Sequence, residues 1–222
     1  MKNQFGFVSP TPAVASFLII LIASYLIFTL MGRSVLGAQA YNWLVLDPFQ
    51  VTYSFQAWRI FTYAFLHDPS SPFHLILNAL MLYMLGPQLE DRWGEKRFFI
   101  FVTAAVLTGG LFVCLSFWLG FSASVVIGFS AATLGLLIAW GLTFSTQQLY
   151  IFGILPMTGR LMVFVTVGLE LLYAVGSNSV SSAAHIGGMV VGFVFTLGLY
   201  KPKRLKQYWR QYQAKKRFRN GS

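Results

Sequence analysis

A serine hydroxyl becomes an effective nucleophile only when a base is positioned to take its proton. This chain of 222 residues has three histidines from which to supply that base. Ser130 lies in the apolar run VVIGFSAATLGLL (125–137), and His185 in a second run, AHIGG (184–188). Together they suffice for acyl transfer through a covalent intermediate. Each also has a bland alternative. A buried serine can return its hydroxyl to the carbonyl four residues back, and an intramembrane histidine can simply bridge two helices. His74 and Asn78, four apart in HLILN (74–78), share a helical face and could be interhelical hydrogen bonders. His67 precedes Asp68-Pro69 and is expected to be interfacial. No HExxH spacing is present, so a zinc site is not expected, and no cofactor is implied. Glu170 is alone in its apolar segment, which argues against a paired-carboxylate protease. The single cysteine, Cys114, excludes a disulfide framework and is expected only to pack.

Composition dictates the elements that must hold these residues. The chain is 56% hydrophobic and 10% charged, against about 25% charged in a soluble domain, and its mean hydropathy is +0.65. These values predict an all-α membrane protein, since in lipid every backbone group must be satisfied within its own segment. Apolar stretches near 13–31, 73–89, 98–119, 126–144, 160–176 and 182–200 predict six transmembrane helices. The fifth is the least regular, because Pro156, Gly159 and Arg160 interrupt its start. Although Ala38-Gln39-Ala40 resembles a signal-peptide cleavage site, the first apolar core is too long for one and is expected to be a membrane helix.

With both termini in the cytoplasm, fourteen of the sixteen basic residues lie inside: Lys2, Arg92, Lys96, Arg97, Arg160 and the nine after Tyr200. Only Arg33 and Arg59 lie outside, in keeping with the positive-inside rule. The expected organisation is a short cytoplasmic segment (1–12), a six-helix membrane domain (13–200) and a basic cytoplasmic tail (201–222). A net charge of +10 confined largely to such a tail does not suggest nucleic-acid binding.

This topology brings the polar residues to one depth. Even-numbered helices run inward, which puts Ser130 about four residues into the fourth, His185 about three into the sixth, and His74 and Asn78 in the first turns of the second. All then fall within roughly one helical turn of a common level near the outer surface. Ala184, Gly188 and Gly192 form a small-residue stripe; Gly128 and Ala132, or Ala131, Gly135 and Ala139, form others. Such stripes allow close helix contact in lipid. No third acid is expected at that depth, so packing alone would orient the imidazole. Polar residues gathered at one end also argue against a transporter or channel.

The chain resembles the rhomboid family of intramembrane serine proteases, in its simplest six-helix bacterial form. AWRIFTYAFLH (57–67) is similar to the family's tryptophan-arginine motif, HLILN to HxxxN, GFSA (128–131) to GxSG, and AHIGG to AHxxG. Two positions depart: Ala131 replaces the usual glycine, and Leu134 stands where many members carry a tyrosine against the histidine.

The resemblance implies a serine endopeptidase of the cytoplasmic membrane whose active site opens to the extracytoplasmic side. Its substrates would be transmembrane segments, cleaved after a small residue by a Ser130–His185 dyad. The oxyanion would be held by the Ser130 N–H with His74 and Asn78. The alternative is a silent rhomboid-like protein that binds transmembrane clients. Arg59 is expected to pair with Glu90 or with backbone carbonyls to hold the first loop. In the tail, Leu205, Tyr208, Trp209 and Tyr212 would face anionic lipid if helical, bordered by basic residues; otherwise the charges fix topology only.

Overall fold

The computed structural model describes residues 9–32, 34–121, 124–151, 155–177 and 180–201, with 207, 209–211 and 213 of the tail. Its elements in chain order are α1 (Pro12–Met31), α2 (Val35–Leu44), α3 (Pro48–Tyr53), α4 (Arg59–Thr62), a 3-10 turn (Tyr63–Phe65), α5 (Phe73–Trp93), α6 (Glu95–Trp118), α7 (Ser130–Thr143), β1 (Gln148–Ile151), β2 (Leu155–Thr158), α8 (Gly159–Ser177) and α9 (Val180–Leu197). The long helices coincide with the six apolar stretches. On length and composition alone, α1 and α6 qualify to cross a membrane, while α7 and α9 are shorter apolar helices.

Two stretches differ from expectation. The fourth begins at Ser130 and not at 126, because Gly128 has φ +113°, a conformation open to glycine and costly for other residues. The irregular start of the fifth is an antiparallel hairpin, β1 with β2, in which Tyr150 pairs with Pro156. Arg33, Lys2 and the tail residues Lys203, Arg204, Leu205, Lys206, Tyr208, Tyr212, Lys215, Lys216, Arg217 and Arg219 lie outside the described residues. Trp209 is helical and exposed.

The long first loop is folded. Ser34 caps α2 by accepting from the Gly37 N–H, and Asp47 caps α3 by accepting from the Phe49 and Gln50 N–H groups. Arg59 is buried, and its guanidinium donates to the carbonyls of Asn42 (2.6 Å) and Val45 (2.7 Å) and to Gln56 Oε1 (2.6 Å). The expected carbonyl contacts are therefore present, but the pairing with Glu90 is not. Glu90 instead receives the N–H groups of Ala13 (2.9 Å) and Val14 (3.0 Å) and the Thr11 hydroxyl. A carboxylate there satisfies two of the N–H donors that the start of α1, with Pro12 as its first residue, leaves without an intrahelical acceptor, and complements its dipole.

Helix α9 is the hub of the bundle and packs closely on both α6 and α7. A Cβ at Gly187 would meet the Thr108 carbonyl oxygen at 2.7 Å on α6, and one at Gly192 would meet the Gly135 carbonyl oxygen at 2.6 Å on α7. A Cβ at Gly188 would overlap the Ala131 carbonyl outright. The predicted stripes do meet, through Ala131 and Gly135. The Ala131 methyl packs beside Gly109 of α6, where an added Cβ would come within 2.7 Å of it.

Candidate active site

The backbone just ahead of Ser130 is pinned by the first loop. Val126 forms a bridge with Leu46, exchanging hydrogen bonds of 2.9 and 3.1 Å, and the Gly128 N–H donates to the Tyr63 carbonyl at 3.0 Å. Ser130 is thus the first residue of α7, and not four residues inside it as expected. Its N–H belongs to the set that has no intrahelical acceptor, at the positive end of the helix dipole.

The α7–α9 contact brings His185 Nε2 to 2.9 Å from Ser130 Oγ. The other ring nitrogen, Nδ1, lies 3.0 Å from Glu170 Oε2. The expectation that no acid reaches this depth is therefore corrected. The reason is geometric: α7 and α8 run antiparallel from a close contact, where a Cβ at Gly141 would meet the Gly159 carbonyl oxygen at 2.6 Å. Ser130 lies eleven residues from Gly141, and Glu170 eleven from Gly159. Both therefore sit about 16 Å along their helices from the same crossing. Glu170 also continues the inward stripe Val163, Val167, Glu170, Ala174 while Leu169, Leu171 and Leu172 are exposed. That periodicity was available in the sequence. The depth and face of a carboxylate, more than the number of carboxylates, carry that signal.

His74 and Asn78 reach the same place from α5. The His74 ring lies against Gly128, where a Cβ would be 2.9 Å from Nε2, so both φ and this close approach demand glycine. Asn78 is buried, and its Oδ1 accepts from the Thr133 hydroxyl (2.9 Å) on the first turn of α7. Its Nδ2 donates to the His74 carbonyl (3.0 Å) and lies 3.2 Å from His67 Nε2.

His67 is thus not merely interfacial. It is 1% exposed, and its ring centroid lies 5.1 Å from that of His74. The Asn78 amide can only donate, so Nε2 must accept and the ring must be neutral. Burial, with His74 as a secondary cause, pulls the His67 pKa from 6.5 down to about 4. The unfolded chain then binds the proton first as pH falls, so stability is lost between about pH 6.5 and pH 4, by about 3 kcal/mol. Thermal unfolding in detergent across that range should be shallower for His67→Gln than for wild type. Superimposable pH curves would remove His67 from the account.

A rhomboid-domain family model matches residues 54–202, a span that holds His67, His74, Asn78, Ser130, Glu170 and His185. The chain is also 28% identical over 196 residues to the rhomboid protease GlpG of Salmonella choleraesuis (strain SC-B67) and to that of Salmonella paratyphi A (strain ATCC 9150 / SARB42). In each case the match covers 82% of this chain and 64% of the relative, so the chain spans somewhat under two thirds of the length of these curated relatives. With the helical bundle and the family model in agreement, this chain belongs to the rhomboid family, whose members reside in membranes.

Proposed function

We propose that this chain is an intramembrane serine endopeptidase that cleaves transmembrane segments of other proteins. The observation that carries this reading is the 2.9 Å contact between Ser130 Oγ and His185 Nε2 at the start of a helix inside an apolar bundle. The activity named for the two Salmonella relatives supports it.

In the mechanism, Ser130 Oγ attacks the scissile carbonyl carbon while His185 Nε2 takes its proton. The tetrahedral oxyanion forms beside the start of α7, where the Ser130 N–H donates to it. Donors fixed in a water-poor site stabilise developing charge strongly. His74 and Asn78 border the same space and are assigned as further donors. Asn78 takes up that role by turning its amide from His67 toward the oxyanion. His185 then protonates the leaving amine, and water releases the acyl group by the reverse sequence. Ala131 is buried against α6 and leaves these reacting atoms in place.

Helices α1, α5, α6, α7, α8 and α9 are assigned as six spans, with both termini in the cytoplasm and Ser130 toward the outer face. The charge distribution supports this orientation. The basic tail then lies at the anionic inner surface, where each Lys or Arg contributes about 1 kcal/mol.

A fluorophosphonate probe tests the reading. Wild-type protein in detergent should be labelled at Ser130 and should cut a model transmembrane substrate, and His185→Ala should do neither. A folded wild type that neither labels nor cleaves would instead be a client-binding protein without protease activity.

A further inference from the structure

A carboxylate inside an apolar bundle is costly and calls for a reason. Glu170 sits on the inward stripe of α8 with its side chain 11% exposed, and the His185 side chain is 20% exposed. Its Oε2 lies 3.0 Å from His185 Nδ1, while the opposite ring nitrogen meets Ser130 Oγ at 2.9 Å. With Glu170 ionised, a neutral imidazole satisfies both contacts in one tautomer only. Nδ1 carries the proton and donates to the carboxylate, so Nε2 keeps its lone pair for the Ser130 proton. The other tautomer would direct two lone pairs at each other across Nδ1 and leave no base facing the serine. This relation of acid, imidazole and hydroxyl is that of a catalytic triad, here spread over the parallel helices α7 and α9 and the antiparallel α8.

We propose that Glu170 is a positioning residue that makes the Ser130–His185 pair a triad, an inference that rests on the hydrolase reading above. Its carboxylate fixes the tautomer before attack. During attack the Oγ–C bond forms, the Ser130 proton moves to Nε2, and the imidazolium charge develops 3.0 Å from Glu170 Oε2. Collapse breaks the C–N bond, and the Nε2 proton leaves with the amine. The Nδ1 proton stays on the ring throughout. Packing alone, by contrast, would orient the ring plane without choosing between its tautomers or stabilising its charge. The acid also stands on α8, not on either helix of the α7–α9 glycine contact. Base strength and nucleophile placement are therefore set by different helix pairs.

The test uses the full chain in detergent with a model transmembrane substrate, comparing Glu170→Gln, Glu170→Leu and Glu170→Asp. Making a triad carboxylate neutral costs about 10⁴-fold in soluble serine proteases, and for this partly exposed one a fall in kcat of roughly 10²–10³-fold is expected with Gln or Leu. KM should change little, and Asp, which keeps the charge, should recover part of the loss. A purely structural role would lower thermal stability and would not spare KM or respond to the charge. Because the variants could fail to fold, proton NMR of wild-type protein gives an independent check. A far-downfield Nδ1–H resonance of His185 should be present, should survive Ser130→Ala, and should be lost in Glu170→Gln. Wild-type kcat in folded Glu170→Gln and Glu170→Leu would overturn the proposal while leaving the hydrolase reading intact. So would absence of that resonance from wild type. Failure of wild type to label or cleave would instead overturn the hydrolase reading, and this inference with it.

Discussion

Ser130→Ala and His185→Ala should each lower the single-turnover rate on a transmembrane substrate by on the order of 10⁶-fold, with the double variant no slower than either. In the proposed mechanism the hydroxyl and the imidazole, 2.9 Å apart, act through one shared proton. Once either is gone, the other has nothing to exchange it with, and the second loss adds almost nothing. Some acceleration over water should persist, because the Ser130 N–H at the start of α7 and the α5 side chains still border the oxyanion position. Additive losses would mean that the two side chains act independently. Residual turnover by Ser130→Ala within about tenfold of wild type would exclude Ser130 as nucleophile.

Gly188→Leu should lower the rate by at least about 10²-fold and destabilise the folded protein by more than about 3 kcal/mol. A Cβ at Gly188 would run into the carbonyl group of Ala131, whose Cα lies 2.9 Å from the added atom. These are backbone atoms one residue from Ser130, so they can yield only by moving the first turn of α7. A displacement of about 1 Å at a reacting centre is enough to cost two orders of magnitude. Gly168→Leu is the matched control, since a Cβ at Gly168 meets nothing within 4 Å on α8. It should leave both rate and stability near wild type. Equal losses in the two variants would mean that glycine replacement as such, and not the α7–α9 contact, is responsible.

The positions of the long helices were legible from apolar run lengths, and the approach of Ser130 to His185 from helix direction and small-residue spacing. Both depend on periodicities that a sequence carries explicitly. The start of α7 was not legible. Apolar character continues through Val125, Val126 and Ile127, while helicity is prevented by Gly128 and by pairing with Leu46 and Tyr63, more than sixty residues earlier. The β1–β2 hairpin escaped for a related reason. Its pairing is a contact between backbones, and Pro156 within it reads as an interruption, not as a strand. His67 and Glu170 were less legible, since neither residue type reveals its role by itself. Their roles arise from partners on other elements: Asn78 for the first, and His185 for the second.

The capping of α1 by Glu90 also bears on the order in which the molecule assembles. The Thr11–Glu90 contact spans 79 residues, so during synthesis α1 enters the membrane long before its cap exists. Until residue 90 emerges, the Ala13 and Val14 N–H groups must be served by water or headgroups at the membrane surface. Helix α1 tolerates this wait because much of its length is exposed, including Ile19, Leu26 and Leu30, and lipid serves those faces equally well before and after docking. The carboxylate therefore acts as a late fastener. It joins α1 to the rest only once α5 has been made through to its last turn.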